Sequence, residues 1–153
     1  MAKIDTIELH LETGEKSGAG TDGDVYLGLC GREFYIDTEK DDFEAGSGRV
    51  YILGDGANIL HPDLNDPREH GLFTENAALF PVYIRFQPKS RDDRWLLDRA
   101  DVRFNGSIHI DWDTSPYIPI GGPGLWLGVH AGLCAHLFNL SHETPPGGPA
   151  GAR

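Results

Sequence analysis

Gly18-Ala19-Gly20-Thr21-Asp22-Gly23-Asp24-Val25-Tyr26 contains a literal G-x-G-x-x-G. A dinucleotide-binding reading needs a strand before this pattern and a helix after it, because the helix N-terminus holds the pyrophosphate. The chain instead continues Val25-Tyr26-Leu27-Gly28-Leu29-Cys30, and the alternation of Val25, Leu27 and Leu29 is that of a strand. No acid-terminated βαβ pattern follows. The stretch therefore reads as strand, flexible acidic turn, strand. Bare carbonyls and a carboxylate in such a turn suit a hard cation better than a phosphate.

The same alternation extends outward in both directions. Residues 4–11 place Ile7, Leu9 and Leu11 on one face, and residues 32–37 do so with Phe34 and Ile36. Residues 49–53, 81–87, 101–104, 107–111 and 125–130 repeat it, separated by Gly, Asp, Asn and Pro clusters. Leu96-Leu97-Asp98-Arg99 reads equally as a short helix or a strand approach. With 20 Gly and 10 Pro, long helices have little room. About eight short strands joined by short turns predict an all-β fold, an antiparallel β-sandwich of two sheets. No fixed-period repeat points to a propeller or solenoid. One domain over residues 1–138 is expected, with a long loop at 54–78 and a disordered Pro/Gly-rich tail at 139–153.

The net charge of −11 argues against simple electrostatic binding to nucleic acid or anionic lipid, though a bridging divalent cation reverses the sign locally. The first residues lack an apolar signal region, and no apolar run approaches the roughly 20 residues needed to cross a bilayer. A cytoplasmic or peripheral membrane location is expected. Cys30 and Cys134 have no metal spacing and are expected as reduced thiols. The seven histidines show no zinc pattern. With no G-x-S-x-G elbow either, no enzyme activity is expected.

Three blocks carry a resemblance to a known family. Gly14-Glu15-Lys16-Ser17-Gly18-Ala19-Gly20-Thr21-Asp22-Gly23-Asp24-Val25-Tyr26-Leu27 is close to T-G-x-x-x-G-A-G-T-D-A-D-V-Y. Asp41-Asp42-Phe43-Glu44-Ala45-Gly46-Ser47 is like D-x-F-E-x-G-S/T, and Arg94-Trp95-Leu96-Leu97-Asp98-Arg99-Ala100-Asp101-Val102 is like W-[FY]-L-[DE]-x-[IV]-x-V. In this order they resemble the PLAT (LH2) domains of lipoxygenases, lipases, bacterial phospholipase toxins and polycystins. Two departures stand out. Loop 54–78 is longer than the usual connection, and Gln87-Pro88-Lys89 replaces a His-Asp-Asn turn found in many members.

The resemblance implies calcium as cofactor, held by three loops. It places the carbonyls of Gly18, Gly20 and Thr21 on metal-contacting positions, with Asp41, Asp42 and Glu44 on a second loop and Asp93, or Asp92 as alternate, on a third. Asp22 reads as ligand, turn former or both. Physically, glycines free the first loop to turn its carbonyls inward, and clustered carboxylates repel without a cation. The competing reading is turn chemistry alone. If calcium binds, removing Asp42 is expected to abolish calcium-dependent stabilisation.

Trp95 is expected in the core and Trp126 in the core or half-buried. Trp112 and Tyr117 flank a Pro/Gly-rich stretch and read either as membrane or partner contacts or as cross-strand packing. Leu72 and Phe73 form a second contact candidate, against loop self-packing. The resemblance implies a non-catalytic recognition module that binds lipid headgroups or a membrane-associated protein, assisted by calcium. The alternatives are a calcium-independent interaction adaptor and an accessory domain of a lipid-acting enzyme.

Overall fold

A computed structural model of the chain describes residues 2–106, 111–114, 118 and 123–139. Among them are ten strands: β1 (Thr6–Thr13), β2 (Asp24–Leu29), β3 (Arg32–Ile36), β4 (Gly48–Gly54), β5 (Tyr83–Gln87), β6 (Arg94–Phe104), β7 (Asp111–Asp113), β8 (Leu125–Gly128), β9 (Cys134–His136) and β10 (Phe138–Asn139). They form two antiparallel sheets, as the alternation predicted. One sheet runs β10-β7-β6-β1-β4, with β8 also paired to β6; the other runs β3-β2-β5-β9. Expected strand 107–111 and the tail from 140 onward fall largely or wholly outside the described residues.

The sheets bury their alternating apolar faces against each other. Ile7, Leu9, Leu11 and Tyr51 come from the larger sheet, and Val25, Leu27, Phe34, Ile84 and Phe86 from the smaller. Leu96-Leu97-Asp98-Arg99 is strand, inside the 11-residue β6. The pairing of β6 with β1 slips by one residue there, from Arg99 opposite Glu12 to Leu97 opposite Thr13. The extra residue is a β-bulge, and it changes which parity faces inward. Trp95 and Leu97 point to the core before it, and Ala100, Val102 and Phe104 after it. Without the slip, one half of β6 would turn its apolar set to water.

Loop 54–78 is folded against the sandwich and contains a 3₁₀ turn at Pro67–His70 and a short helix, α1, at Thr74–Ala77. It closes the open side between the two sheet edges. Asn58 accepts from the Ile52 amide at 2.7 Å and donates to the Val50 carbonyl at 2.9 Å, capping β4. Asn65 accepts from the Tyr35 amide at 2.8 Å, capping β3. An uncovered edge would offer a template for pairing with another chain, so the added length has a structural use. Leu72 is buried in the core, and its carbonyl accepts from the Ile4 amide at 2.8 Å. Leu72 is therefore loop self-packing and not an exposed contact, while Phe73 beside it is half-buried.

Strand polarity sorts the connections into two ends. Loops 14–23, 37–47, 88–93 and 129–133 share one end. The Cys30–Gly31 turn and loop 55–82 lie at the other. Cys30 and Cys134 are free thiols. No helix among the described residues is long and apolar enough to cross a membrane.

Candidate metal centre

The rim is built from the first loop outward. Gly18 adopts φ +79, a left-handed conformation that glycine takes at no steric cost. Gly20 lies against the second loop so closely that a Cβ there would come within 2.9 Å of the Ala45 nitrogen. Three backbone bonds lock the loop down. The Thr21 amide donates to the Phe43 carbonyl at 3.0 Å, the Leu96 amide to the Ala19 carbonyl at 2.9 Å, and the Gly46 amide to the Gly14 carbonyl at 2.9 Å. Among the described residues, no donor reaches the carbonyls of Gly18, Gly20 or Thr21.

Phe43 organises the second loop. It is buried at φ 62, unusual for a bulky side chain, and its ring meets Tyr51 at 5.9 Å and Trp95 at 5.4 Å. Its neighbours therefore diverge. Asp41 and Glu44 are exposed, and their carboxylates converge with that of Asp22 until one oxygen of each lies within 4.8 Å of the others. Asp42 turns inward instead and is only 7% exposed. Its carboxylate accepts from the Thr38 amide at 2.9 Å, the Thr38 hydroxyl at 2.8 Å, Arg49 Nη1 at 2.9 Å and the Tyr51 hydroxyl at 3.0 Å. The expectation that Asp42 is a rim ligand is corrected here: four donors already hold it inside the fold. The sequence motif could not separate it from Asp41, because both are acids in the same short run.

Asp93 also works inside the scaffold. Its Oδ1 accepts from the Thr21 hydroxyl at 2.7 Å and its Oδ2 from the Lys89 amide at 2.9 Å. The same Thr21 oxygen accepts from the Gly23 amide at 2.9 Å. Asp93 thus ties the third loop to the first. Half-buried Asp93 and exposed Asp92 both line the same open cleft of about 570 Å³ as Gly18, Gly20, Asp22 and Glu44.

Trp112 is 4% exposed and its ring meets that of Phe104 at a tilt, 4.9 Å between centroids, so it packs across strands and is almost wholly shielded from solvent. The membrane-contact expectation for it is corrected. Tyr117 lies outside the described residues. The sequence reading carried a strand through 130, whereas the strand ends at Gly128 and a turn follows at 129–133, whose Val129 and Leu133 are among the exposed large apolar residues. Isolated Val and Leu beside Gly are ordinary strand-end residues, and only the topology puts them on this rim.

The Glu44 carboxyl is held above its ordinary value, first by the charge of Asp41, then by desolvation and by Asp22. A raised carboxyl contributes stability while protonated and loses it as pH rises through the raised value. Near pH 7 the three acids therefore repel in the metal-free fold. In chelator, Glu44→Gln is expected to melt slightly above the parent protein near pH 7, with the difference vanishing below the carboxylate range. Melts across pH test this, and a pH-independent difference would contradict it. The donor set is all oxygen, exposed and anionic, which fits a hard cation such as calcium.

No protein-family model matches the sequence, and no curated protein matches it. Solved structures match the fold. The alpha-toxin of an avian Clostridium perfringens strain aligns with TM-score 0.60 at 19% identity, covering 90% of this chain and 32% of the toxin. The Clostridium absonum alpha-toxin aligns with TM-score 0.58 at 14% identity, covering 88% and 31%. A coral 8R-lipoxygenase, described as showing calcium activation via a C2-like domain, aligns with TM-score 0.54 at 17% identity, covering 88% and 17%. The chain thus spans under a third of each protein's length, and the likeness establishes a PLAT/LH2-like fold.

Proposed function

We propose that this domain is a non-catalytic recognition module that docks peripherally on membrane lipid, or on a protein held there, with calcium bound at the loop rim. The observation carrying this reading is the convergence of Asp22, Asp41 and Glu44 within 4.8 Å on an exposed rim. The carbonyls of Gly18, Gly20 and Thr21, with Asp92, supply further oxygens in the same cleft. Bound there, calcium would neutralise the convergent acids and offer its open positions to a phosphate or carboxylate. The described chemistry of the coral lipoxygenase's C2-like domain, calcium activation, supports the cofactor. Asp42 and Asp93 have a different part: they hold the second and third loops in place.

Thermal melts in chelator, calcium and magnesium test the site. A hundredfold excess of calcium over its Kd is expected to stabilise the fold by about 2.7 kcal/mol, with Asp41→Asn losing that gain. No calcium-specific shift at millimolar concentration would reduce the three acids to turn chemistry.

A further inference from the structure

Two acidic clefts meet at the rim, and Lys89 lines both. The larger one holds Asp22, Glu44, Asp92 and Asp93, and Lys89 is the one basic residue among its described lining. The second, of about 260 Å³, shares Asp22 and adds Asp24, Asp37 and Asp41. The segment that carries Lys89 is fastened to the first loop on both sides of Asp22. The Lys89 amide donates to Asp93 Oδ2 at 2.9 Å, and Asp93 Oδ1 accepts from the Thr21 hydroxyl at 2.7 Å. On the other side of Asp22, Gly23 packs so closely that a Cβ there would come within 2.7 Å of the Gln87 carbonyl oxygen and 2.9 Å of Asp93 Oδ2. The root of the lysine is thus fixed beside Asp22, while its side chain is exposed and forms no ion pair among the described residues. A flexible four-carbon stem lets its ammonium move across either cleft. Other lysines are placed differently. Lys40 lines the second cleft and not the first, Lys16 lines a separate cleft beside Glu12, Glu15 and Asp98, and the backbone of Lys3 bridges to Phe73.

Resting on the proposed calcium site, we infer that Lys89 is the built-in counter-ion of that site and sets its affinity for a divalent cation. With no metal bound, the ammonium offsets the repulsion among Asp22, Asp41 and Glu44, the acids that converge here. When a divalent cation occupies the cleft, Lys89 turns to solvent, but its charge stays tethered beside the ion and opposes it. The lysine therefore does two things with one charge. It stabilises the empty rim, and it raises the calcium concentration at which the rim fills above what the carboxylates alone would set.

Calorimetric calcium titration at about 0.15 M salt, with thermal melts in chelator, tests this on the parent protein and its lysine variants. Lys89→Met is expected to bind calcium about threefold more tightly and to melt below the parent in chelator. Lys89→Arg keeps the charge and is expected to keep the parent's affinity. Lys16→Met is expected to titrate like the parent. In an Asp22→Asn background the chelator deficit of Lys89→Met is expected to vanish, because the acid it offsets is gone. A deficit that persists there gives Lys89 a structural role and overturns the inference. Equal calcium affinity in Lys89→Met and parent overturns it while leaving the metal site intact. So does an equal gain in Lys16→Met, which would be a diffuse effect of net charge. Binding by Lys89→Met but not by the parent supports the inference and overturns the calcium site proposed for the parent. Binding by neither overturns both.

Discussion

Asp42→Ala is expected to lower the unfolding free energy by about 3 kcal/mol and to leave the calcium response in place. The cost comes from what the carboxylate holds. The Tyr51 hydroxyl is buried and loses its acceptor, and the Thr38 amide and hydroxyl lose theirs. Arg49 is partly exposed and recovers water, so it contributes less than a fully buried partner would. A cycle with Tyr51→Phe separates the parts. If the orphaned phenol dominates, the double variant regains much of the loss. Asp41→Asn should behave in the opposite manner, near the parent's stability in chelator and without a calcium shift. Urea unfolding with and without calcium reads both quantities. Loss of the calcium response in Asp42→Ala, with stability unchanged, would return Asp42 to the ligand set.

Trp95→Ala is expected to cost more, about 3–5 kcal/mol, and to loosen the rim. Trp95 is fully buried between Phe43 at 5.4 Å and Phe86 at 5.9 Å, and its indole N–H donates to the Thr13 hydroxyl at 2.8 Å. Its removal leaves a large cavity beneath the second loop. The next residue, Leu96, donates to Ala19 and accepts from Gly14, so the first loop hangs from the same stretch of β6. Calcium affinity is therefore expected to fall together with stability. Trp95→Phe keeps most of the packing and should cost only about 1–2 kcal/mol, with the calcium response retained. A loss below about 1 kcal/mol in the alanine variant, measured by chemical denaturation, would contradict the packing argument.

Much of the fold was legible because period-two alternation carries it. Ile7, Leu9 and Leu11, or Val25, Leu27 and Leu29, declare a strand with one buried face before any partner is known. The bulge in β6 was not legible, since Leu96-Leu97-Asp98-Arg99 reads equally as a short helix or a strand approach. Its meaning depends on the register with β1. The glycines and acids of the rim were visible as turn and ligand chemistry. Their division of labour was not, because Asp41 and Asp42 are neighbours whose different directions follow from the burial of Phe43 beside them.

By itself, then, the sequence determined the fold class, the principal strands and the oxygen-rich character of three loops, all properties written in local pattern and residue chemistry. Only the tertiary structure decided which acids converge and which stay inside. It also decided that Trp112 and Leu72 are packed and that Val129 and Leu133 share an end with Asp22 and Glu44. These facts depend on contacts between residues tens of positions apart. Strand pairing creates those contacts, and alternation along a single strand does not encode them.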